Sequence, residues 1–300
     1  MAIRLGTRGS ALAVAQSTTV ARALEALGEQ VELVTIQTSG DATAPAPVTE
    51  DKARFVKEIE QALLGGAIDL AVHSAKDVPG ELPDGLEIAG VPERADPRDA
   101  LCGPRSLDEL GPGATVGTAS LRRRAQLLAL RPDLRVRDLR GNVDTRLRRL
   151  AEDGLDAIVL ATAGLVRLDR AGEGSPLSED ALTPAPGQGC LALEARAGDG
   201  RMRELARELT DPTAFAELAA ERSLVTGIGA TCHTPVGAHA SAEGDRMRLR
   251  CFVGTPDGAR WIRDEVEGAA GDPAGLGEIA TGRLLGAGAR DLLAAAEAIA

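Results

Sequence analysis

His73, Ser74, Lys76 and Asp77 fall within one short stretch, A-I-D-L-A-V-H-S-A-K-D-V-P, at positions 67–79. Its first half, 68–72, is mostly apolar. A short run of that kind bounded by turn signals reads as a buried strand of a parallel sheet. In open α/β sheets, ligands bind beyond the carboxyl ends of strands. A histidine, a hydroxyl, an amine and a carboxylate therefore stand where a ligand is expected. A carboxylate fixed there can stabilise a developing cation or protonate a leaving group. The same residues also suit a capped turn, with Ser74 or Asp77 accepting from backbone amides. Spacing alone leaves both readings open.

Cations are concentrated elsewhere. From Arg122 to Arg149 there are ten arginines and three aspartates, a local charge of +7 in a chain of net charge -11. Arg122, Arg123, Arg140 and Arg146 fall at or just beyond predicted strand ends, in the first turns of helices. Cations there oppose the helix dipole, so their placement calls for a compensating anion. The planar guanidinium fork suits a carboxylate. Arg124, Arg148 and Arg149 read instead as solvated helix faces. Near the start of the chain, Gly6-Thr7-Arg8-Gly9-Ser10 joins a strand to a helix. It reads either as an anion-binding turn with Arg8 as a bidentate partner or as plain capping by Ser10.

Cys232 lies in a glycine-rich loop, Gly227-Ile228-Gly229-Ala230-Thr231-Cys232-His233. A thiol outside a core is available as a nucleophile, and cationic surroundings favour its thiolate; the alternative is an inert thiol. Cys102, Cys190 and Cys251 lie in or begin apolar strand-like runs and read as core. With no C-x-x-C pair and three histidines in all, the sequence argues against a zinc site or a disulfide framework. A fixed carboxylate, a carboxylate-binding arginine set and an exposed thiol suggest covalent handling of a polycarboxylate.

The elements that must position these groups follow from periodicity. Strands at 3–5, 31–36, 68–72 and 86–91 alternate with helices at 11–27 and 53–64, which argues for a doubly wound α/β domain. Residues 42–50 form a Pro-, Ala- and Thr-rich loop. After a crossing at 92–98 the pattern restarts, with strands at 114–117, 134–139 and 157–161. Thr118-Ala119-Ser120 and Arg140-Gly141-Asn142 open its helices. A strand at 191–195, after Pro186-Gly187-Gln188-Gly189, returns the chain to the first domain. Helices at 199–209 and 213–225 lead to strands at 236–240, 247–253 and 261–266 and to helices at 275–287 and 288–299. The expected domains are 1–94 with 189–210, 95–188, and a small α+β domain at 211–300. By fold analogy, two such α/β lobes joined by crossing strands make a hinged cleft.

Composition narrows the partners. Phe55, Phe215, Phe252 and Trp261 are the whole aromatic set in 300 residues, so the cores are aliphatic and base-stacking platforms are missing. The net charge of -11 weighs against nucleic acid or an anionic membrane surface. No signal peptide and no apolar run of about 18 residues is found, so a cytoplasmic protein with free thiols is expected.

The motifs resemble one family in order along the chain. They are Thr7-Arg8-Gly9-Ser10 with Gln16, Phe55-Val56-Lys57-Glu58, Val72-His73-Ser74-Ala75-Lys76-Asp77-Val78-Pro79 and Gly117-Thr118-Ala119-Ser120-Leu121-Arg122-Arg123. Arg140-Gly141-Asn142-Val143 with Thr145-Arg146, Ala163-Gly164-Leu165 with Arg167, Pro186-Gly187-Gln188-Gly189, and Cys232 before Pro235-Val236-Gly237 complete the set. The chain resembles the porphobilinogen deaminases. The resemblance implies two α/β domains like periplasmic binding proteins plus the small third domain. It implies a dipyrromethane cofactor in thioether linkage to Cys232, on which four porphobilinogen molecules are joined head to tail with loss of ammonia, giving linear hydroxymethylbilane for heme biosynthesis. Asp77 is then the catalytic carboxylate. Ser74, Lys76, Thr118, Ser120, Arg122, Arg123 and Arg146 hold cofactor carboxylates, and Arg8, Ser10, Arg140 and Arg167 hold substrate. A monomer is implied. The sequence departs from the family pattern at Lys52-Ala53-Arg54-Phe55 and at Ala230-Thr231-Cys232, where glycines are usual, and at Val48, where a lysine is common.

Two rival readings use the same residues. A solute-binding or effector-sensing protein shares the two α/β domains but has no use for Cys232. A cysteine hydrolase pairing Cys232 with His73 or His233 predicts transient acylation and no permanent adduct.

Overall fold

The structure, a computed structural model, describes residues 1–37, 53–231 and 234–298. The expected loop at 42–50 and the residues Cys232 and His233 lie outside the described residues. Along the chain the strands are β1 (Ile3–Arg8), β2 (Val31–Ile36), β3 (Leu70–Ser74), β4 (Leu86–Gly90), β5 (Asp99–Cys102), β6 (Thr115–Gly117), β7 (Arg135–Arg137), β8 (Ala157–Ala161), β9 (Ser175–Pro176), β10 (Leu191–Arg196), β11 (Val236–Glu243), β12 (Arg246–Gly254) and β13 (Trp261–Ala269). The α-helices are α1 (Ala11–Ala26), α2 (Ala53–Leu64), α3 (Leu121–Leu130), α4 (Val143–Glu152), α5 (Thr162–Arg167), α6 (Gly200–Glu208), α7 (Pro212–Gly227), α8 (Pro273–Gly286) and α9 (Ala289–Glu297). The chain divides into two units, Met1–Ala95 with Cys190–Phe215, and Asp96–Gly189 with Ala216–Ala300.

The first unit is built on a sheet of order β2-β1-β3-β10-β4. β2, β1 and β3 are parallel, while β10 runs antiparallel to both β3 and β4. The stretch at 68–72 was expected in a parallel sheet; the sheet is mixed, because the returning strand enters beside β3. Ile3, Leu5, Leu70, Val72 and Leu193 meet Val20 and Leu24 of α1 and Met202 and Ala206 of α6 on one face. Ile59 and Leu63 of α2 cover Ile68 and Ala71 on the other. Each of the buried Val, Leu, Ile and Met side chains contributes on the order of 1.5–3 kcal/mol through apolar burial.

β1 runs through Arg8, farther than the expected 3–5, so Gly6 and Thr7 belong to the strand and not to an anion-binding turn. Gly6 is required by close packing, since a Cβ there would collide with Ile68.

The second sheet, β7-β6-β8-β5-β9, repeats the plan: β7, β6 and β8 are parallel and β5 is antiparallel to β8 and β9. Leu127 of α3 packs with Leu101, Val116 and Val159, while Val143 and Leu147 of α4 and Leu165 of α5 lie with Ile158 and Leu160. Both α/β sheets thus carry helices on two faces, which is the doubly wound class expected. In the same unit the antiparallel sheet β11-β12-β13 buries Ala238, Leu249, Cys251 and Val253 against Leu224 of α7, Leu276 and Leu284 of α8 and Leu292 of α9. This is the small α+β element. Among the described residues, no helix is long and apolar enough to cross a membrane.

Candidate functional site

In the first unit, β3 continues through His73 and Ser74, two residues beyond the expected strand, because β10 pairs with it there: Leu191 faces Ser74 and Ala192 faces His73. His73 is therefore inside the sheet and buried, its Nε2 2.9 Å from Glu194 Oε2, and not at the ligand edge where the sequence placed it. A single 3-10 turn, Ala75–Asp77, follows. The Ala75 amide donates to the Cys190 carbonyl at 3.1 Å and the Val78 amide to the Ala75 carbonyl at 3.2 Å. Pro79 prevents the turn from continuing.

Lys76 and Asp77, both half-buried, thus stand just past the carboxyl end of β3. β1 is parallel to β3, so Arg8 and Ser10 come to the same edge. Ser10 Oγ also accepts the Ala13 amide at 3.3 Å and caps α1. Arg8, Ser10, Ser74, Lys76 and Asp77 are brought to one edge.

The second unit gathers its groups in the same way. The parallel strands β7, β6 and β8 end at one edge, and the segments that follow carry Thr118, Ser120, Arg122, Arg123, Arg140, Arg146 and Arg167. Thr118 Oγ1 accepts the Ser120 amide at 3.2 Å, and Ser120 Oγ accepts the Arg123 amide at 3.4 Å, capping α3. Asn142 Oδ1 caps α4 by accepting the Thr145 amide at 2.8 Å, after Gly141 at φ 116°. Arg140 is exposed beside this cap and Arg146 is half-buried in the first turn of α4. Arg167 Nη2 donates to the Gly189 carbonyl at 2.7 Å.

Arg122 and Arg123 depart from the sequence argument. They are only 4% and 5% exposed, and the chain itself sets one carboxylate against the pair. Arg122 Nη1 lies 2.7 Å from Asp99 Oδ2 and its Nη2 3.1 Å from Oδ1; Arg123 Nε lies 2.9 Å from Oδ1. Gln188 Nε2 adds a fourth donor to this carboxylate, reaching Oδ1 at 3.0 Å. Burial opposes ionisation of Asp99, but the two guanidiniums outweigh it and hold the carboxyl well below the usual carboxylate range. Burial likewise pulls Arg123 down, against Asp99, which raises it.

Cys232 is outside the described residues, so its neighbours alone can be stated. Thr234 Oγ1 donates to the Thr231 carbonyl at 2.6 Å, and β11 begins at Val236. Cys102, Cys190 and Cys251 are buried core thiols, as read from the sequence. Burial pushes Cys102 up to about 11 and Cys251 to about 12.

Sequence reasoning missed three carboxylates. Asp99 precedes the apolar run Ala100-Leu101-Cys102, and Glu221 sits in the alanine- and leucine-rich α7. Glu221 is fully buried, its Oε2 accepting the Gly187 amide at 2.6 Å and its Oε1 the Ala240 amide at 2.8 Å. Glu194 lies within β10. A charged residue set flush in an apolar run was the available signal.

Each of the two doubly wound sheets gathers cations and hydroxyls at its carboxyl edge, and the first adds the Asp77 carboxylate, which defines an α/β protein with polar strand edges. The chain belongs to the porphobilinogen deaminase family. The family model for the porphobilinogen deaminase, dipyromethane cofactor binding domain, matches residues 3–204, and that for the porphobilinogen deaminase C-terminal domain matches residues 215–286. A porphobilinogen deaminase of Thermus thermophilus is 49% identical over 296 residues, covering 97% of each chain. Those of Roseiflexus castenholzii and Roseiflexus sp. strain RS-1 are 49% and 50% identical, each covering 97% of this chain and 98% of the relative.

Proposed function

We propose that this chain joins four porphobilinogen molecules head to tail into linear hydroxymethylbilane, on a dipyrromethane primer held in thioether linkage by Cys232. The observation that carries this reading is the family match across both α/β domains and the C-terminal domain. The donor set fits the group, since every pyrrole bears acetate and propionate and the two strand edges present guanidiniums, a lysine and hydroxyls. Ser74, Lys76, Thr118, Ser120, Arg122, Arg123 and Arg146 hold the primer's carboxylates. Arg8, Ser10, Arg140 and Arg167 hold those of the incoming substrate. The bound primer supplies the nucleophilic pyrrole carbon.

Asp77 does the chemistry on the chain's side. The C–N bond of the substrate's protonated aminomethyl group breaks, and neutral ammonia leaves with the bonding electron pair. The remaining methylene carbon is a cationic azafulvene, whose charge the nearby Asp77 carboxylate stabilises. A carboxylate in this position would also accept the proton that the nucleophilic pyrrole carbon must lose.

The domain boundaries we propose are 1–94 with 189–210, 95–188, and 211–300; the three separate sheets support this division. We also read the protein as a cytoplasmic monomer that binds neither nucleic acid nor membrane, supported by three free thiols among the described residues and a net charge of -11.

Intact mass of the purified, denatured chain, with peptide mapping around Cys232, tests the function. Two linked pyrrole units on that peptide are expected, and Cys232→Ala is expected to carry none and to lack turnover. Normal activity in Cys232→Ala, or an unmodified Cys232 that gains no adduct on addition of porphobilinogen, overturns the proposal.

A further inference from the structure

We infer that Asp99 is a positioning residue for the cofactor, holding Arg122 and Arg123 side by side as one cationic unit matched to a single carboxylate. This rests on the reading that the arginine pair holds a cofactor carboxylate. Asp99 is fixed before its side chain does anything: it opens β5 opposite Ala161, and its carbonyl accepts the Leu177 amide at 2.8 Å. The guanidiniums are gripped from a second side, Arg122 Nη1 donating to the Thr183 carbonyl at 2.7 Å and Arg123 Nη1 to the Val159 carbonyl at 2.8 Å. Each plane is thus set by Asp99 and by one backbone carbonyl.

The charges count in the same direction. Two buried guanidiniums against one buried carboxylate leave a single excess positive charge, and a buried charge is costly until it is met. Arg122 Nε is a buried donor with no acceptor among the described residues. One carboxylate neutralises the unit, whereas a dianionic phosphate overshoots it. Without Asp99 the two cations repel each other and lose their common orientation. Gln188 steadies the same carboxylate while also donating to the Pro97 carbonyl at 2.7 Å, so the anchor extends to the segment where the chain enters the second sheet.

The test uses full-length Asp99→Asn and Asp99→Glu beside the wild type. Folding is followed by circular dichroism and melting, adduct on Cys232 by intact mass. In any unmodified chain, the rate of adduct formation is measured against porphobilinogen concentration. Asp99→Asn removes the countercharge; Asp99→Glu keeps it but displaces it by one methylene. Both are expected to fold and to carry adduct at least about tenfold less than the wild type, the scale of a lost charge-assisted hydrogen bond. Loading in both is expected to demand a higher porphobilinogen concentration, a shift that mere loss of folded protein does not produce. Wild-type loading in a folded variant overturns the inference. Failure of both variants to fold also overturns it, by assigning Asp99 to stability alone. A wild type that takes no adduct sinks the proposed function instead, a result distinguishable from both.

Discussion

His73 Nε2 lies 2.9 Å from Glu194 Oε2, with both side chains closed off from solvent inside the first sheet. Glu60 of α2 is buried beside them, and its carboxyl is raised above the usual 4.5, first by burial and then by Glu194, against the opposing pull of His73. Folded Glu60 therefore keeps its proton to higher pH than the unfolded chain does. Its contribution to stability is full below pH 4.5 and is lost as pH rises through the raised value. Glu60→Gln is expected to remove this loss. Urea midpoints of wild type and variant, compared from acid to neutral pH, should show the wild type losing ground to the variant as pH rises. A difference independent of pH counts against the assignment.

Asp77→Ala is expected to fold like the wild type and to lose porphobilinogen turnover by about a hundredfold or more, the usual scale of a missing acid–base or charge-stabilising group. Initial rates beside a melting curve check this. Wild-type turnover makes Asp77 a structural residue of its turn.

Thiol reactivity should divide sharply. With Cys102 held near about 11 and Cys251 near about 12, neither should be alkylated in the native protein at roughly pH 8, the range where an ordinary thiol reacts. Cys232 should be alkylated in chains lacking the adduct and blocked in chains carrying it. Peptide mapping after a short iodoacetamide pulse reads all of these. Rapid labelling of Cys102 or Cys251 contradicts the burial described.

Glu221 ties the Pro186–Gly189 turn to the C-terminal sheet through two backbone amides. Glu221→Gln puts an NH2 group against one of those amides and removes the charge, and should cost about 2–3 kcal/mol of stability. Urea unfolding measures it. A variant within about 0.5 kcal/mol of the wild type, the range of a surface change, shows that the two bonds carry no net stabilisation.

Most elements were legible in the sequence because each rests on local signals. The helix caps at Ser10, Ser120 and Asn142 and the apolar runs of β2 and β8 fix those elements within a residue or so. What stayed hidden was decided by distant partners. β3 ends where β10 stops pairing with it, and the His73–Glu194 contact spans 121 positions of chain. The placement of Arg122 and Arg123 pointed to an anion, read there as a ligand; the anion beside them is Asp99, 23 positions before Arg122, and no local pattern joins them. The antiparallel entries of β5 and β10 were equally out of reach, since register between remote strands leaves no periodic mark.

The place of β10 between β3 and β4 also sets an order of birth. The second sheet is drawn entirely from the continuous stretch between Asp99 and Pro176, so it can close while the ribosome is still at work downstream. The first sheet, though its leading strands emerge earlier, keeps an open seam until Arg196 has been made. The domain encoded first is finished second. A nascent chain stalled near residue 185 bears two bare strand edges, open to pairing with a neighbour.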